Sequence, residues 1–376
     1  MFHIILGLPW LVVLLRFLLP LPWLAPVKIL VAVVLLLASQ HLVINRLTSG
    51  SVFAPEYPRP LIILFTLFFG ATVLLAVFQL ALDALSLIFM LASGRFPTIA
   101  PELRYVMGAA ALALATFGVS QAIRVPPVKH VEIAVADLPA EFEGYRLLQL
   151  TDLHISRLFP RSWAQAVVAR ANALDADLVT VTGDLIDGSV DDRAADVAPL
   201  ADLRARDGVL GIPGNHEYFF GYDQWMEHDS GLGIQMLQNR HIVISRGAAQ
   251  IVIAGVTDLA ATRSSFPPPD LAAALNGAPD GAPVILLDHQ PRMAARAAKA
   301  GVAVQLSGHT HGGMVRGLDL LVARANNGFV SGLYDVDGMQ LYVNNGTGLW
   351  PGFALRLGRP AELTVITLKR RAADAN

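Results

Sequence analysis

The chain changes character near residue 125. Before that point apolar residues come in long runs broken by short polar, proline-containing loops; beyond it, short β-branched runs alternate with alanine-rich stretches of helical period. Four apolar runs are legible in the first part. Residues 29–44 and 61–82, the latter extending toward Leu91, carry almost no charge and approach or exceed the roughly 20 residues that cross a bilayer. Residues 105–123 are rich in alanine and bounded by Arg104 and Arg124, which suit the two interfaces. The first run, residues 4–24, is interrupted by Pro9, Arg16, Pro20 and Pro22, so a kinked, re-entrant or interfacial segment is expected there. It lacks the basic opening and small-residue cleavage site of a signal peptide. Arg16 is read as snorkelling or packed against a neighbouring helix.

Beyond residue 128 the predicted strands are 147–151, Leu178–Thr182, 208–212, 251–256, Val284–Leu287, 302–306 and 341–344, short and nearly all apolar as buried strands are. Helical patterns fall between them at 161–174, 191–203 and 291–300. This alternation predicts a layered α/β sandwich over 128–376, preceded by an all-α transmembrane region over 1–125 with about four helices.

Composition sharpens the picture at three points. Of 376 residues, 54% are hydrophobic and only 15% charged, which points to lipid contact as well as a soluble core. The formal net charge of −2 argues against nucleic acid as a partner. With no cysteine in the chain, disulfides and thiolate ligands are excluded, and any metal must be held by His, Asp, Glu or Asn.

The residues able to do so gather at predicted strand ends. They are Asp152 and His154 in Thr151-Asp152-Leu153-His154, Gly183-Asp184, Gly214-Asn215-His216-Glu217, Asp288-His289, and Gly308-His309-Thr310-His311-Gly312-Gly313. Loops at the carboxyl ends of strands are where α/β folds place ligands and reactive groups. Each motif alone is an ordinary turn or a hydrogen-bonded His; the ordered set is hard to obtain by chance. Asp258, Arg157 and Arg316 flank these motifs and read equally well as substrate contacts or solvated loop residues. His228 and His241 lie outside the pattern and are read as structural.

The set resembles the calcineurin-like metallophosphoesterase superfamily, whose pattern is Asp-x-His, Gly-Asp, Gly-Asn-His-Asp/Glu, His and Gly-His-x-His. Gly-Asn-His-Glu, Gly-His-Thr-His-Gly-Gly and the tail 348–368 are similar to its membrane-associated bacterial branch; the helical region lies outside the shared pattern. The resemblance implies an α-β-β-α sandwich and two divalent metal ions (Mn, Fe, Zn or Co) about 3.5 Å apart. One would be held by Asp152, His154, Asp184 and His311, the other by Asp184, Asn215, His289 and His309, with Asp184 bridging through its two carboxylate oxygens. It further implies in-line attack of water on phosphorus, His216 protonating the leaving group and Glu217 orienting His216 or a nearby group. The expected activity is hydrolysis of a phosphodiester or pyrophosphate, with a lipid-linked or nucleotide-linked substrate such as UDP-2,3-diacylglucosamine. A general nucleotide phosphodiesterase or phosphomonoesterase is the alternative. A membrane sensor or transporter with a regulatory metal domain would gain support from paired ionisable residues in the spans, where Arg16 and Asp83 are among the few present, and an inactive binding module would require a missing ligand. Four spans place both ends of the chain on one side. There Arg46, Arg59, Arg124 and Lys129 outnumber Lys28, Arg95 and Arg104 opposite, which favours a multi-pass inner-membrane protein with a cytoplasmic catalytic region.

Overall fold

The computed structural model describes residues 2–371, with side chains from Ile5 onward; Met1 and 372–376, inside the two regions expected from the sequence, lie outside the described residues. The chain divides into a helical unit, Met1–Ile123 with Pro351–Leu357, and an α/β unit, Arg124–Trp350 with Gly358–Asn376.

In the helical unit, α1 (Phe2–Val12) runs into a π-helical segment, Val13–Leu18, followed by α2 (Ala25–Ser39), α3 (His41–Ser49), α4 (Arg59–Ser93) and α5 (Pro101–Ile123). Among the described residues, α4 with 35 residues and α5 with 23 are long and apolar enough to cross a membrane. At 1.5 Å per residue they measure about 52 and 35 Å, against a hydrocarbon core of about 30 Å. The run expected at 29–44 is bent instead by 58° between α2 and α3, and counts as a third span only if the pair forms one broken span. Polar Ser39, Gln40 and His41 interrupt the apolar run at the bend. The first run is a short apolar helix ending at Leu18, ahead of Pro20 and Pro22.

Arg16 pairs with Asp83 of α4, Nε to Oδ2 at 3.0 Å, and Gln79 donates to the same carboxylate at 2.8 Å. These groups satisfy one another. The seven residues Pro351–Leu357, expected with the catalytic region, belong to the helices: Leu355 fills the space over Gly118, where a Cβ would lie 2.8 Å from its Cδ1, and His41 Nε2 is 2.7 Å from the Gly352 carbonyl.

The α/β unit contains two six-stranded sheets. The first runs β1 (Val128–Val135), β12 (Leu363–Arg370), β2 (Arg146–Leu150), β3 (Leu178–Thr182), β4 (Val209–Ile212), β5 (Gln235–Met236). The second runs β10 (Gly332–Val336), β11 (Met339–Val343), β9 (Val304–Ser307), β8 (Val284–Leu287), β7 (Ala249–Gly255), β6 (Arg240–Arg246). β2 to β5 are mutually parallel, as are β7, β8, β9 and β11. The carboxyl ends of each set therefore share one edge.

Leu147, Leu178 and Ile212 of the first sheet meet Ile253, Ile285, Leu287 and Leu306 of the second in one buried core. A fully buried side chain of this kind contributes roughly 1.5–3 kcal/mol. Outside the second sheet, α10 (Leu271–Leu275) and α11 (Ala294–Lys299) pack Ala274, Ala294 and Ala297 against Ala254, Leu286 and Leu341. On the first, α6 (Arg161–Asn172) makes the crossover between β2 and β3, and α7 (Val190–Val197) lies between β3 and β4. The architecture is the α-β-β-α sandwich.

Candidate metal centre

Five of the parallel strands deliver donors in the turn that follows them. β2 leads into Asp152 and His154, β3 into Asp184, β4 into Asn215 and His216, β8 into His289, and β9 into His309 and His311. Asp152, His154, Asp184, His309 and His311 have φ of 52°, 46°, 53°, 67° and 50°, in the left-handed region. A non-glycine residue there costs about 1 kcal/mol or more, and such strain gathers where the fold holds side chains in a set direction. Gly183, with φ 89°, brings the turns after β3 and β4 backbone to backbone: a Cβ would lie 2.6 Å from Gly214 N and Cα.

Six of the seven predicted ligand residues come together with His216, and the seventh, Asn215, lines a cleft with His309. Asp152, His154 and His311 form one group of donor atoms, and Asp184, His289 and His309 another, each with its atoms within 4.8 Å of one another; His154, Asp184 and His216 form a third. Asp184 Oδ2 lies 3.3 Å from His289 Nε2, 3.8 Å from His154 Nε2 and 3.9 Å from His216 Nε2. Asp184 Oδ1 instead accepts the His216 backbone N–H at 2.8 Å. Oδ2 thus faces donors of both groups, while Oδ1 has one of its lone pairs taken by backbone. The backbone N–H of His309 likewise donates to both oxygens of Asp152 at 3.1 Å.

The donors suit cations. His289 Nδ1 donates to the Thr182 carbonyl at 2.8 Å, so Nε2 is the ring atom turned to Asp184 Oδ2 at 3.3 Å. Protonated, Nε2 pairs with that oxygen; in the neutral ring the same atom offers its lone pair to a cation. Among the described residues the buried Oδ1 of Asn215 has no hydrogen-bond partner, as befits a ligand oxygen. Burial alone would raise the Asp184 carboxyl, but the surrounding His289, His216 and His154 rings hold it well below the usual carboxylate range.

Glu217 sits elsewhere than against the His216 ring. Buried at the third position of α8 (Asn215–Phe219), it accepts N–H groups from Gly214 at 2.6 Å, Leu185 at 2.7 Å and Asp184 at 3.2 Å, and so locks together the two turns that carry Asp184 and Asn215. Burial and the nearby Asp184 charge push its carboxyl up to about 7.

The partner of the His216 ring is Asp187, which the motif reading missed. Its Oδ1 is 2.5 Å from His216 Nδ1 and its Oδ2 is 3.2 Å from His154 Nδ1. Burial lowers the His216 imidazole, but the Asp184 and Asp187 charges outweigh this and bring it up to about 9. The available signal was the second acid in Gly183-Asp184-Leu185-Ile186-Asp187: the Ile155–Ile186 bridge brings that turn alongside His154. Asp187→Asn is expected to lower kcat about 10–100-fold, the range for partners of ligands, with the helical content by circular dichroism unchanged.

Asp258 is buried and committed to structure, capping the turn Leu259–Arg263 and accepting Gln290 Nε2 at 2.9 Å. Arg157 and Arg316 are exposed. His241 Nδ1 is 2.7 Å from the Ala274 carbonyl, and His228 stacks edge-on against Trp225, both outside the donor groups.

Asp229, in α9 (Tyr222–Gly231), has neither carboxyl oxygen hydrogen-bonded among the described residues, and burial, then the Glu217 charge, raises it well above the usual range. Its folded state holds a proton that the unfolded chain loses above about pH 4. Stability is therefore full below that pH and is lost as pH rises toward the folded value. Asp229→Asn should raise Tm at pH 7 by at least about 2–4 °C, the effect of roughly 1 kcal/mol in a domain of this size, and the gain should vanish near pH 4.

A two-sheet α/β sandwich that gathers His, Asp and Asn donors at one shared strand edge is the architecture of a metallohydrolase. Residues 145–313 match the calcineurin-like phosphoesterase family. A zebrafish (Danio rerio) transmembrane protein with metallophosphoesterase domain is 36% identical over 266 residues, 68% of this chain and 60% of that protein. An uncharacterized metallophosphoesterase of Campylobacter jejuni is 30% identical over 309 residues, 81% of this chain and 80% of that one. The chain belongs to the calcineurin-like phosphoesterase family. The Campylobacter similarity is longer than the region after Val128 and so reaches into the helices, which the superfamily pattern alone did not include. Among solved structures, calcineurin-like phosphoesterase YfkN from Bacillus subtilis aligns at 14% identity over 55% of this chain and 82% of that one, with TM-score 0.37.

Proposed function

We propose that the protein is a membrane-anchored phosphodiesterase with a binuclear metal centre. The observation that carries this is the pair of donor groups, Asp152–His154–His311 and Asp184–His289–His309, brought to one strand edge with Asp184 Oδ2 also facing His154. Asn215 completes the second group. Two divalent ions would neutralise charge on the phosphoryl oxygens and lower the pKa of the attacking water. The chain's own residues supply the rest.

Hydrolysis adds water across a P–O bond: the new P–O bond forms from water, the ester bond breaks, and the leaving oxygen gains a proton. His216 would give that proton, a role supported by its Nδ1 contact with Asp187, which leaves Nε2 on the side of Asp184. Glu217 acts through backbone as a positioning residue, holding the turns that carry Asp184 and Asn215. In α4 and α5 the protein has helices of membrane-spanning length, which support a multi-pass anchor in the inner membrane, and the basic loop residues favour a cytoplasmic centre. A substrate held at the membrane, such as a lipid-linked diphosphate, suits that arrangement.

The test is hydrolysis of bis-p-nitrophenyl phosphate and p-nitrophenyl phosphate by the full chain in detergent, after metal stripping and Mn²⁺ readdition. Activity that returns with metal and favours the diester supports the reading. Preference for the monoester would make the protein a phosphomonoesterase, and no metal-dependent activity on either, or on a lipid diphosphate, would overturn it.

A further inference from the structure

Beside the donor groups lies a cleft of about 660 Å³ whose lining includes Asn215 and His309. Two arginines on its wall, Arg263 and Arg292, are exposed, make no side-chain hydrogen bond or ion pair among the described residues, and no carboxylate lines the cleft with them. Neither arginine rides on a loose loop. Arg263 ends the short turn Leu259–Arg263, capped by Asp258, which also holds Gln290. Farther along, Phe266 packs on Tyr218 and Tyr222 at ring separations of 5.9 and 4.6 Å. Arg292 follows His289 by three residues, and its carbonyl accepts Asn327 Nδ2 at 2.9 Å. Two uncompensated guanidinium groups in a cleft that opens onto a phosphate-binding centre make an anion site, and the planar fork of arginine is suited to phosphoryl oxygens.

We propose that Arg263 and Arg292 form a specificity subsite for a second phosphoryl group, so that the substrate is a diphosphate diester or carries a second phosphate close to the one cleaved. This rests on the phosphodiesterase reading above and names its substrate class.

The experiment compares wild type, Arg263→Gln/Arg292→Gln and Arg263→Lys/Arg292→Lys, each as the full chain in detergent. One readout is the ratio of kcat/KM for UDP-glucose, followed as UMP release, to that for bis-p-nitrophenyl phosphate. The Gln pair is expected to lower this ratio at least tenfold, through KM, with the Lys pair in between. The second readout is the Tm increase given by methylenediphosphonate relative to methylphosphonate, which needs no turnover. Wild type is expected to gain more from the diphosphonate, and the Gln pair to lose that excess. An unchanged ratio together with an unchanged diphosphonate excess overturns the subsite. If wild type cleaves neither ester nor a lipid diphosphate, the phosphodiesterase reading fails, and the Tm comparison alone decides whether the arginines bind a second phosphoryl group.

Discussion

Asp184→Ala is expected to abolish hydrolysis of bis-p-nitrophenyl phosphate, with kcat falling by at least about 10³-fold, beyond the roughly 10–100-fold typical of a ligand's partner. One oxygen, Oδ2, faces His289, His154 and His216 within 3.9 Å, so a single substitution removes a donor from both groups at once. The other oxygen accepts the His216 backbone N–H, and losing it disturbs the turn after β4 as well. Asp184→Asn separates these effects, because the amide oxygen can still accept that N–H while the charge is gone. Both variants should lose bound metal by elemental analysis, and the Asn variant should keep the wild-type Tm of the metal-stripped protein more closely than the Ala variant. Retention of metal and of more than a tenth of the activity in Asp184→Ala would place the centre elsewhere.

His216→Ala should cost about 10²–10⁴-fold in kcat, the range for a general acid, while the metal content stays at the wild-type value. The metal content discriminates between an acid and a ligand. His216 stands with His154 and Asp184 in a donor group of its own, so the geometry also admits it as a ligand. Its Nδ1, however, is committed to Asp187, and its Nε2 is 3.9 Å from Asp184 Oδ2, against 3.3 Å for His289. Loss of a metal ion from His216→Ala would make it a ligand and leave the leaving group without the acid assigned to it.

Much of the fold could be read from apolar runs. Leu178–Thr182 and Val284–Leu287 are strands over the residues expected, because interior parallel strands are apolar on both faces. β1, β6 and β10 were missed for the complementary reason: at sheet edges, charged residues such as Lys129, Glu132 and Arg240 alternate with apolar ones. β12 escaped notice because Thr364, Thr367 and Lys369 break its run, though it lies between β1 and β2. In the helical unit, hydropathy could not locate the bend at Gln40 or the docking of Leu355 over Gly118, which depends on contacts more than two hundred residues apart.

The donors at the site were legible because strand ends announce them by residue type and spacing. Of their partners, Glu217 was legible from Gly-Asn-His-Glu, though its hold on the Asp184 and Leu185 N–H groups was not. Asp187 belongs to the site through a bridge between Ile155 and Ile186, which leaves no local pattern. Arg263 and Arg292 come from separate turns that meet only in the folded cleft.

The central claim is that this chain holds two metal ions joined through Asp184. The most direct measurement is Mn²⁺ loading of the stripped full chain, followed by elemental analysis and electron paramagnetic resonance. Two equivalents per chain with an exchange-coupled signal is the expected result, since ions held by the two donor groups on either side of Asp184 would lie within a few ångströms of each other. One equivalent, or two that show only isolated-ion signals, would contradict it.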